Sequence, residues 1–340
     1  MQNSKMRIFT ALLTLWVVVA LTGCGGSTPA PVKKKAPTPQ WALNGITPND
    51  TLTTMYGFGQ GKNREDAIKI ALNDMISRVG INVESSYNSY EKVENSYATS
   101  KITTNIKADI SKTKVNNYKV AKSFRISYNE FAVVVASDKK KFVSGLKADV
   151  AARKASIQEQ QKALKNEDTI TKYNRKKALA KEAASLLSAV LMISELDKSY
   201  NKESDLAFIQ RVKRDFIAQE QALKFAVSGD KSSREFVSKL KNYLAQKGFN
   251  VVNKQKNSLK IEIKTETNIV KGSIPIAVLK VQISIFDKHQ RVGGNTIILK
   301  ERYTNMQSVF KNAAIHFEQD IHEQGINEVA GINLDIDTND

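Results

Sequence analysis

Cysteine, proline and histidine are scarce in this sequence, and each scarcity narrows what the chain can be. Cys24 is the only cysteine, so no intramolecular disulfide can form and packed apolar cores must stabilise the fold. Only six prolines are present, and four of them fall between residues 25 and 40. Residues 141–221 contain none, which favours long uninterrupted helices there.

The groups that catalysis and metal binding need are also missing. There are three histidines, and His316 and His322 lie six positions apart on a predicted helix, on well-separated faces. No serine stands in a Gly-x-Ser-x-Gly pattern, and helix capping explains neighbouring carboxylates such as Glu167 and Asp168. We therefore predict a protein that is not an enzyme and has no catalytic residues, no metal and no cofactor.

A glycine string, Gly57-Phe58-Gly59-Gln60-Gly61-Lys62, has some features of a phosphate-binding loop because it precedes a predicted helix. A Walker loop needs glycine where Tyr56 stands, and serine or threonine where Asn63 stands. We interpret the glycines as a strand-to-helix turn, with Asn63 as the cap of the helix.

The N-terminus resembles the signal peptide of a bacterial lipoprotein. Lys5 and Arg7 precede an uncharged apolar run over residues 8–21, which is shorter than the roughly 20 apolar residues of a membrane-spanning helix. The run ends in Leu21-Thr22-Gly23-Cys24, a string similar to a lipobox. The resemblance implies a signal peptide over residues 1–23, cleavage between Gly23 and Cys24, and lipidation of Cys24 by diacylglycerol and an N-acyl chain such as palmitate.

The residues after Cys24 predict where the protein is held. Gly25 stands where an aspartate is the usual inner-membrane retention signal, so we expect a lipid anchor in the outer membrane, with the chain facing the periplasm rather than the cell surface. Residues 24–40 form a Pro- and Lys-rich tether. The formal charge of +18 favours anionic envelope partners such as peptidoglycan, lipopolysaccharide or lipid headgroups, and not nucleic acid.

Periodicity divides the remaining chain into three α+β or helical units. The first, residues 41–140, is predicted as a small sheet on a helix. Its predicted elements are a strand over residues 53–58, a helix from Asn63 that ends at Gly80, a strand over residues 81–87, a helix over residues 102–110, and a hairpin of residues 118–126 and 131–137.

The second unit, residues 141–221, is predicted as a long helical hairpin or stalk, because its apolar residues recur every three or four positions, or at multiples such as seven. Residues 138–181 contain thirteen Lys or Arg against five Asp or Glu. Either this charge is a solvated helix face, or it forms an anion-binding patch. The candidate patch is Lys139, Lys140, Lys141, Arg175, Lys176 and Lys177.

The third unit, residues 222–324, is predicted as an antiparallel-sheet α+β domain with helices on one face. A capping box at Ser232 to Glu235 opens a helix that ends at Gly248. The predicted strands are residues 223–228, 249–253, 259–266, 274–286 and 296–303, and residues 287–294 are predicted as a hairpin loop. A last helix follows, and residues 325–340 are predicted as a loose tail.

The first unit resembles the Lpp-twenty family of bacterial outer-membrane lipoproteins. The resemblance rests on Pro39-Gln40-Trp41, on the glycine string from Tyr56 to Asn63, on the alanine-spaced helix with Ala67 and Ala71, and on the predicted strand from Ile81 to Ser85. It covers about residues 39–140 and implies a small sheet wrapped on a helix. Members of that family are linked to the outer membrane, to flagellar structures or to surface exposure.

These patterns lead to two functional expectations. The first is a non-enzymatic envelope scaffold or protein–protein interaction module with envelope or flagellar partners. The alternative is a surface-exposed adhesin or antigen that contacts host molecules. A third role, as a lipid or transport accessory factor, would require a deep apolar cavity.

Overall fold

The computed structural model describes residues 37–94, 106–253 and 257–336. The predicted signal peptide, Cys24, most of the tether and the start of the helix predicted over residues 102–110 lie outside this part. The α+β class is confirmed, since helices and two separate sheets make up the described chain.

The N-terminal unit is a three-stranded antiparallel sheet with a long helix on one face. Its helices are α1 (Gln40–Leu43), α2 (Arg64–Glu94) and α3 (Ile106–Ser111), and its strands are β1 (Thr54–Gly61), β2 (Tyr118–Ser127) and β3 (Glu130–Asp138). The strand order is β1-β3-β2, and β2 and β3 form the predicted hairpin. Asn63 caps α2 as predicted, because its side chain accepts from Asp66 N at 2.9 Å.

The glycines of the string lie within β1, and the prediction of a turn there was wrong. Gly57 and Gly59 face α2, and their Cα atoms lie so close to it that a Cβ would stand 1.9 Å from Ala71 O or 2.1 Å from Ala67 O. The absence of side chains therefore lets the helix backbone pack directly on the strand backbone.

Helix α2 continues through Gly80 to Glu94, so the predicted helix end and the strand over residues 81–87 were wrong. Gly80 instead makes room for α3, because a Cβ there would stand 3.0 Å from Ile110 Cγ2. Val79 and Val83 are buried four positions apart while Ile81 is 69% exposed, which is a helical and not a strand period.

Three long helices follow, as predicted for residues 141–221. They are α4 (Lys139–Ala163), α5 (Thr169–Leu196) and α6 (Glu203–Ala222), with a 3-10 turn at Leu164–Asn166. Asp168 caps α5: burial opposes its ionisation, but hydrogen bonds from Thr171 and Ile170 outweigh burial and lower its pKa. At the other end of α5, Asp197 accepts from Lys147 Nζ of α4 at 2.8 Å.

Helix α5 is enclosed rather than exposed as a free stalk. Its second half, around Leu186, Val190 and Ile193, is buried and contacts α2 and α3 of the N-terminal unit. Its first half contacts the C-terminal unit, where Thr169 N donates to Asp287 Oδ2 at 2.7 Å and the Tyr173 ring packs edge-on against Phe249. The helix thus joins the two sheet units, because apolar residues occur around most of its circumference.

The C-terminal unit is a six-stranded mixed sheet with two helices on one face. Its strands are β4 (Lys224–Gly229), β5 (Asn250–Val252), β6 (Leu259–Val270), β7 (Ile276–Asp287), β8 (Gln290–Gly293) and β9 (Thr296–Arg302). Its helices are α7 (Arg234–Gln246), α8 (Met306–Gln324) and the short α9 (Ile326–Ala330). Strand β4 runs parallel to β5 and β6, and the other pairs are antiparallel. Phe236 of α7 and Phe317 of α8 meet edge-to-face at 5.6 Å between the helices and the sheet.

Two local predictions in this unit were wrong. Asp230, and not a box at Ser232, caps the 3-10 turn Lys231–Ser233 that leads into α7, because its side chain accepts from Ser233 N at 2.8 Å. The same carboxylate also accepts from Thr265 N of β6 at 3.2 Å. The predicted loop of residues 287–294 contains strand β8. Lys288 and His289, both with positive φ, form the two-residue turn between β7 and β8.

Residues 326–336 are packed, in contrast to the predicted loose tail. Ile332 and Leu334 are buried, and Gly331 O accepts from Gly294 N at 3.2 Å. The segment then reaches α5, where Asn174 Nδ2 donates to Asn333 O at 2.6 Å. The tail therefore fastens the C-terminal unit to α5.

Candidate functional site

A cleft of about 520 Å³ lies where the N-terminal unit meets the helices. One wall is the end of α3 and the segment that leads into β2, and the other walls are α4 and the second half of α5. Phe142 and Leu146 of α4 contribute apolar surface to it. The segment before β2 is fixed at its end, because Ser137 Oγ donates to Asn117 O at 2.8 Å.

Basic groups outnumber acidic groups in the lining of the cleft. The charged residues that line it are Lys112, Lys114, Lys141, Arg153, Asp109 and Asp149. Both acidic groups have a basic neighbour within the cleft: Lys112 Nζ lies 3.8 Å from Asp109 Oδ1, and Arg153 Nη1 lies 3.9 Å from Asp149 Oδ2. The exposed ammonium groups of Lys114 and Lys141 are left without an acidic partner among the described residues.

Arg153 is held in place by α5. Its Nη2 donates to Ser185 Oγ at 2.6 Å and to Glu182 O at 3.3 Å. A guanidinium that is already oriented loses little side-chain entropy when it binds an anion. The hydroxyl and amide groups that surround it can bind further polar atoms, and they come from Thr113, Asn116, Asn117, Ser185 and Ser188.

This arrangement suits the binding of an anion. The cleft contains no histidine or cysteine, and its serines hydrogen-bond to backbone carbonyls, Ser185 Oγ to Glu182 O at 2.8 Å and Ser188 Oγ to Ser185 O at 3.3 Å. A nucleophile would need a neighbouring base. Across the described ranges, no three His, Cys, Asp or Glu side chains are grouped as a metal site requires.

The six residues of the predicted basic patch do not share one surface. Helices α4 and α5 run antiparallel, as the contacts Lys147–Asp197 and Arg153–Ser185 show. Lys139 to Lys141 lie at the start of α4, whereas Arg175 to Lys177 lie beside its end, roughly 35 Å away at the rise of a helix.

Lys177 is moreover buried, and its Nζ donates to Asp335 O at 2.6 Å, so it serves the tail contact. Lys176 Nζ donates to Gln219 at 3.2 Å, and Arg175 is exposed. Of the six residues, Lys141 alone lines the cleft. Lys139 and Lys140 lie next to Lys141 on α4, outside the cleft lining. Of the basic patch predicted from the sequence, only the part at the start of α4 is therefore near the cleft.

Sequence reasoning missed Lys114, Arg153 and the two serines of the cleft. Lys114 stands in a polar stretch with no periodic pattern, and Arg153 and Ser185 are 32 positions apart. Only the packing of α5 against both α3 and α4 brings these groups together. The three histidines, by contrast, are exposed as expected.

Comparison with known proteins supports the lipoprotein interpretation for part of the chain. Residues 39–137 match the LPP20 lipoprotein family, which confirms the resemblance seen in the sequence for this segment. The match covers less than a third of the 340 residues. No curated protein matches the chain.

Two solved structures are similar to this chain at low identity. The secreted protein HP1454 from Helicobacter pylori has 11% identity and a TM-score of 0.41, over 78% of this chain and 96% of that one. A minor lipoprotein from Acinetobacter baumannii has 14% identity and a TM-score of 0.23, over 29% of this chain and 91% of that one. These TM-scores are too low to establish a shared fold. Within the described residues, no helix has the length and apolarity that crossing a bilayer demands.

Proposed function

We propose that this protein is a lipid-anchored lipoprotein of the outer membrane that faces the periplasm. The match of residues 39–137 to the LPP20 lipoprotein family carries the proposal, since it begins only 15 residues after Cys24. The lipobox-like string supports cleavage before Cys24 and its acylation. More than one acyl chain gives stable anchoring where a single chain gives only reversible binding.

The proposed role is that of a non-enzymatic scaffold or interaction module of the cell envelope. Both sheet units and the helices pack around α5, which suits a rigid adaptor better than a chain of flexible modules. Flagellar and other envelope proteins are candidate partners. The alternative role is that of a surface-exposed adhesin or antigen. Protease treatment of intact cells distinguishes the two roles, because only a surface-exposed protein would be digested.

The cleft is the proposed binding site, and its ligand is proposed to be an anionic envelope glycan. Lys114 and Lys141 supply unpaired positive charge, and Arg153 adds a guanidinium that is already held in place by Ser185 and Glu182. The hydroxyl and amide groups beside them match the hydroxyl-rich surface of a sugar. Peptidoglycan carries carboxylates and lipopolysaccharide carries phosphates, so the two share this chemistry.

Membrane fractionation and protease treatment test the anchoring. Wild-type protein is expected in the outer-membrane fraction with labelled palmitate attached, whereas Cys24→Ala is expected to lose the label and leave that fraction. Gly26→Ala is the matched control and should keep both. Protection from protease in intact cells and digestion after permeabilisation support the periplasmic orientation, while digestion in intact cells would favour the adhesin.

Pull-down at low salt tests the cleft with purified peptidoglycan and lipopolysaccharide in separate arms. The double variant Lys114→Glu with Lys141→Glu should lose binding, because it replaces the two unpaired positive charges of the cleft by negative ones. Low salt is used because dissolved ions screen attraction between exposed charges. The double variant Lys139→Glu with Lys140→Glu has the same charge change but lies outside the cleft lining, so it should retain most binding. Equal binding by all three proteins would contradict the glycan site.

A further inference from the structure

A second surface lies on the outer face of the N-terminal sheet, opposite α2. Helix α1 packs on this face, where Gln60 Nε2 of β1 donates to Ala42 O at 2.8 Å. Lys122 Nζ of β2 lies 5.8 Å from the centroid of the Trp41 ring. The outward residues of β3, such as Val134, are fully buried here. Helix α1 therefore covers the centre of the outer face.

Two large apolar side chains at the end of α1 are turned to solvent. Leu43 is 56% exposed and Ile46 is 52% exposed. The backbone that carries them is ordered, because Ile46 N donates to Trp41 O at 3.1 Å and Gly45, with φ +63, packs against the Phe58 ring. The pair is thus presented on a fixed turn, next to the half-buried Trp41.

Two lysines lie on the same face of the sheet as this apolar pair. Lys119 and Lys122 are exposed on β2, and they stand opposite Ala136 and Val134, two residues of the outer face. Two acidic groups are near. Glu130 is half-buried at the hairpin end of the face, and the Asp50 carboxylate accepts from Tyr56 N at 2.8 Å and lies 4.0 Å from Arg78. The exposed side-chain charge that Lys119 and Lys122 add to this face is therefore positive.

We infer that this outer face docks on the surface of a lipid bilayer with anionic headgroups. Leu43, Ile46 and the edge of Trp41 would enter the boundary between headgroups and acyl chains, where tryptophan is favoured, while the two lysines contact lipid phosphates. The inference rests on the proposed anchoring at Cys24 and specifies which face of the N-terminal unit meets the membrane.

The position of the anchor is the reason to choose a membrane as the occupant. Helix α1 begins 16 residues after Cys24, a length of chain that spans at most roughly 55 Å when fully extended. The face that carries α1 is consequently the part of the fold nearest to the lipid along the chain. Two exposed apolar side chains with two lysines on the same face are also a small area for a protein interface but suffice for shallow insertion beside an existing anchor.

Trp41 makes the inference measurable, since it is the only tryptophan after Cys24. The full-length lipidated protein, purified from membranes, is reconstituted in vesicles that contain phosphatidylglycerol, with either plain or brominated acyl chains. Flotation reports anchoring, and Trp41 fluorescence reports contact with the acyl region. We expect the protein to float and Trp41 to lose emission in the brominated vesicles.

Variants place the contact on the outer face. Leu43→Glu with Ile46→Glu should still float but lose the quenching, and Lys119→Glu with Lys122→Glu should reduce it. Ile298→Glu, at a residue 54% exposed on the C-terminal sheet, is the matched control and should be quenched like wild type. Far-UV circular dichroism and thermal melting verify that each variant is folded.

The outcomes separate the two proposals. Flotation with equal Trp41 emission in plain and brominated vesicles overturns the docking face and leaves the anchor intact. Quenching that persists in the Leu43 and Ile46 variant also overturns the docking face. Failure to float overturns the anchor and, with it, the docking that depends on the tether.

Discussion

The two sheet units of this protein solve the packing of a helix on a sheet in opposite ways. In the N-terminal unit, Gly57 and Gly59 place no side chain of their own against α2, so the strand backbone meets the helix backbone at Ala67 and Ala71. In the C-terminal unit, the space between the sheet and α7 and α8 is filled by large side chains such as Phe236 and Phe317.

This difference predicts a difference in tolerance to substitution. A backbone cannot move aside for an added atom without distorting the helix, whereas a layer of side chains can repack at modest cost. A small substitution at the N-terminal contact should therefore cost much stability, whereas a substitution of similar size at the C-terminal contact should cost less.

The largest expected effect is that of Gly57→Ala. The added Cβ would stand 1.9 Å from Ala71 O, so we expect a loss of about 3 kcal/mol or more in the free energy of unfolding. Denaturant unfolding measures it. Gly145→Ala on α4, where an added Cβ meets nothing within 4 Å, is the control and should be neutral or slightly stabilising. If Gly57→Ala were as stable as wild type, the proposed difference in tolerance between the two sheet units would be wrong.

Phe236→Leu tests the other side of the comparison. The residue is fully buried against Phe317, and the smaller side chain leaves a space that its neighbours can partly fill. We expect a loss of about 1 to 2 kcal/mol in the same unfolding measurement. A loss as large as that of Gly57→Ala would show that the C-terminal layer is no more tolerant.

Asp230→Ala should cost about 1 to 2 kcal/mol, because Ser233 N and Thr265 N would lose their acceptor. Ser232→Ala distinguishes this cap from the capping box expected from the sequence. The free energy of unfolding of that variant should lie within about 0.5 kcal/mol of the wild-type value, as is usual for substitutions that remove no buried contact. The reverse order of the two effects would restore Ser232 as the cap.

The smallest effect at neutral pH concerns the end of α5 that contacts α4. Hydrogen bonds from Lys147 and Ser199 lower the pKa of Asp197 from 3.8 to about 2. The carboxylate therefore stabilises the fold above pH 4, and this contribution is lost as the pH falls from 4 towards 2. Asp197→Asn should remove that part of the acid sensitivity. Denaturant midpoints across this pH range measure it, and identical slopes for both proteins would contradict it.

Sequence patterns predicted those parts of the fold that depend on neighbours along the chain. The β2–β3 hairpin, the Asn63 cap, the long helices of residues 141–221 and the antiparallel strands of the C-terminal unit all have local signals of period, cap or turn. The class of fold follows from their order.

Errors occurred where a residue serves a distant contact. Glycine is typical of a helix end, but Gly80 lies inside α2, where the absence of a side chain lets Ile110 of α3 pack closely. The tail of residues 325–340 is acidic at its end and was predicted as loose, yet Ile332 and Leu334 are buried beside the sheet. The cleft was hidden for the same reason, since Lys114 and Arg153 come together only through packing around α5.

The contact between Asn174 and Asn333 has a consequence for how this chain reaches its folded state. The two residues are 159 positions apart in the sequence. Closing so large a loop is slow, and the pairing cannot form before Asn333 is available. A chain that is synthesised from its N-terminus would therefore make this contact of α5 only after the strands of its first sheet are available to pair.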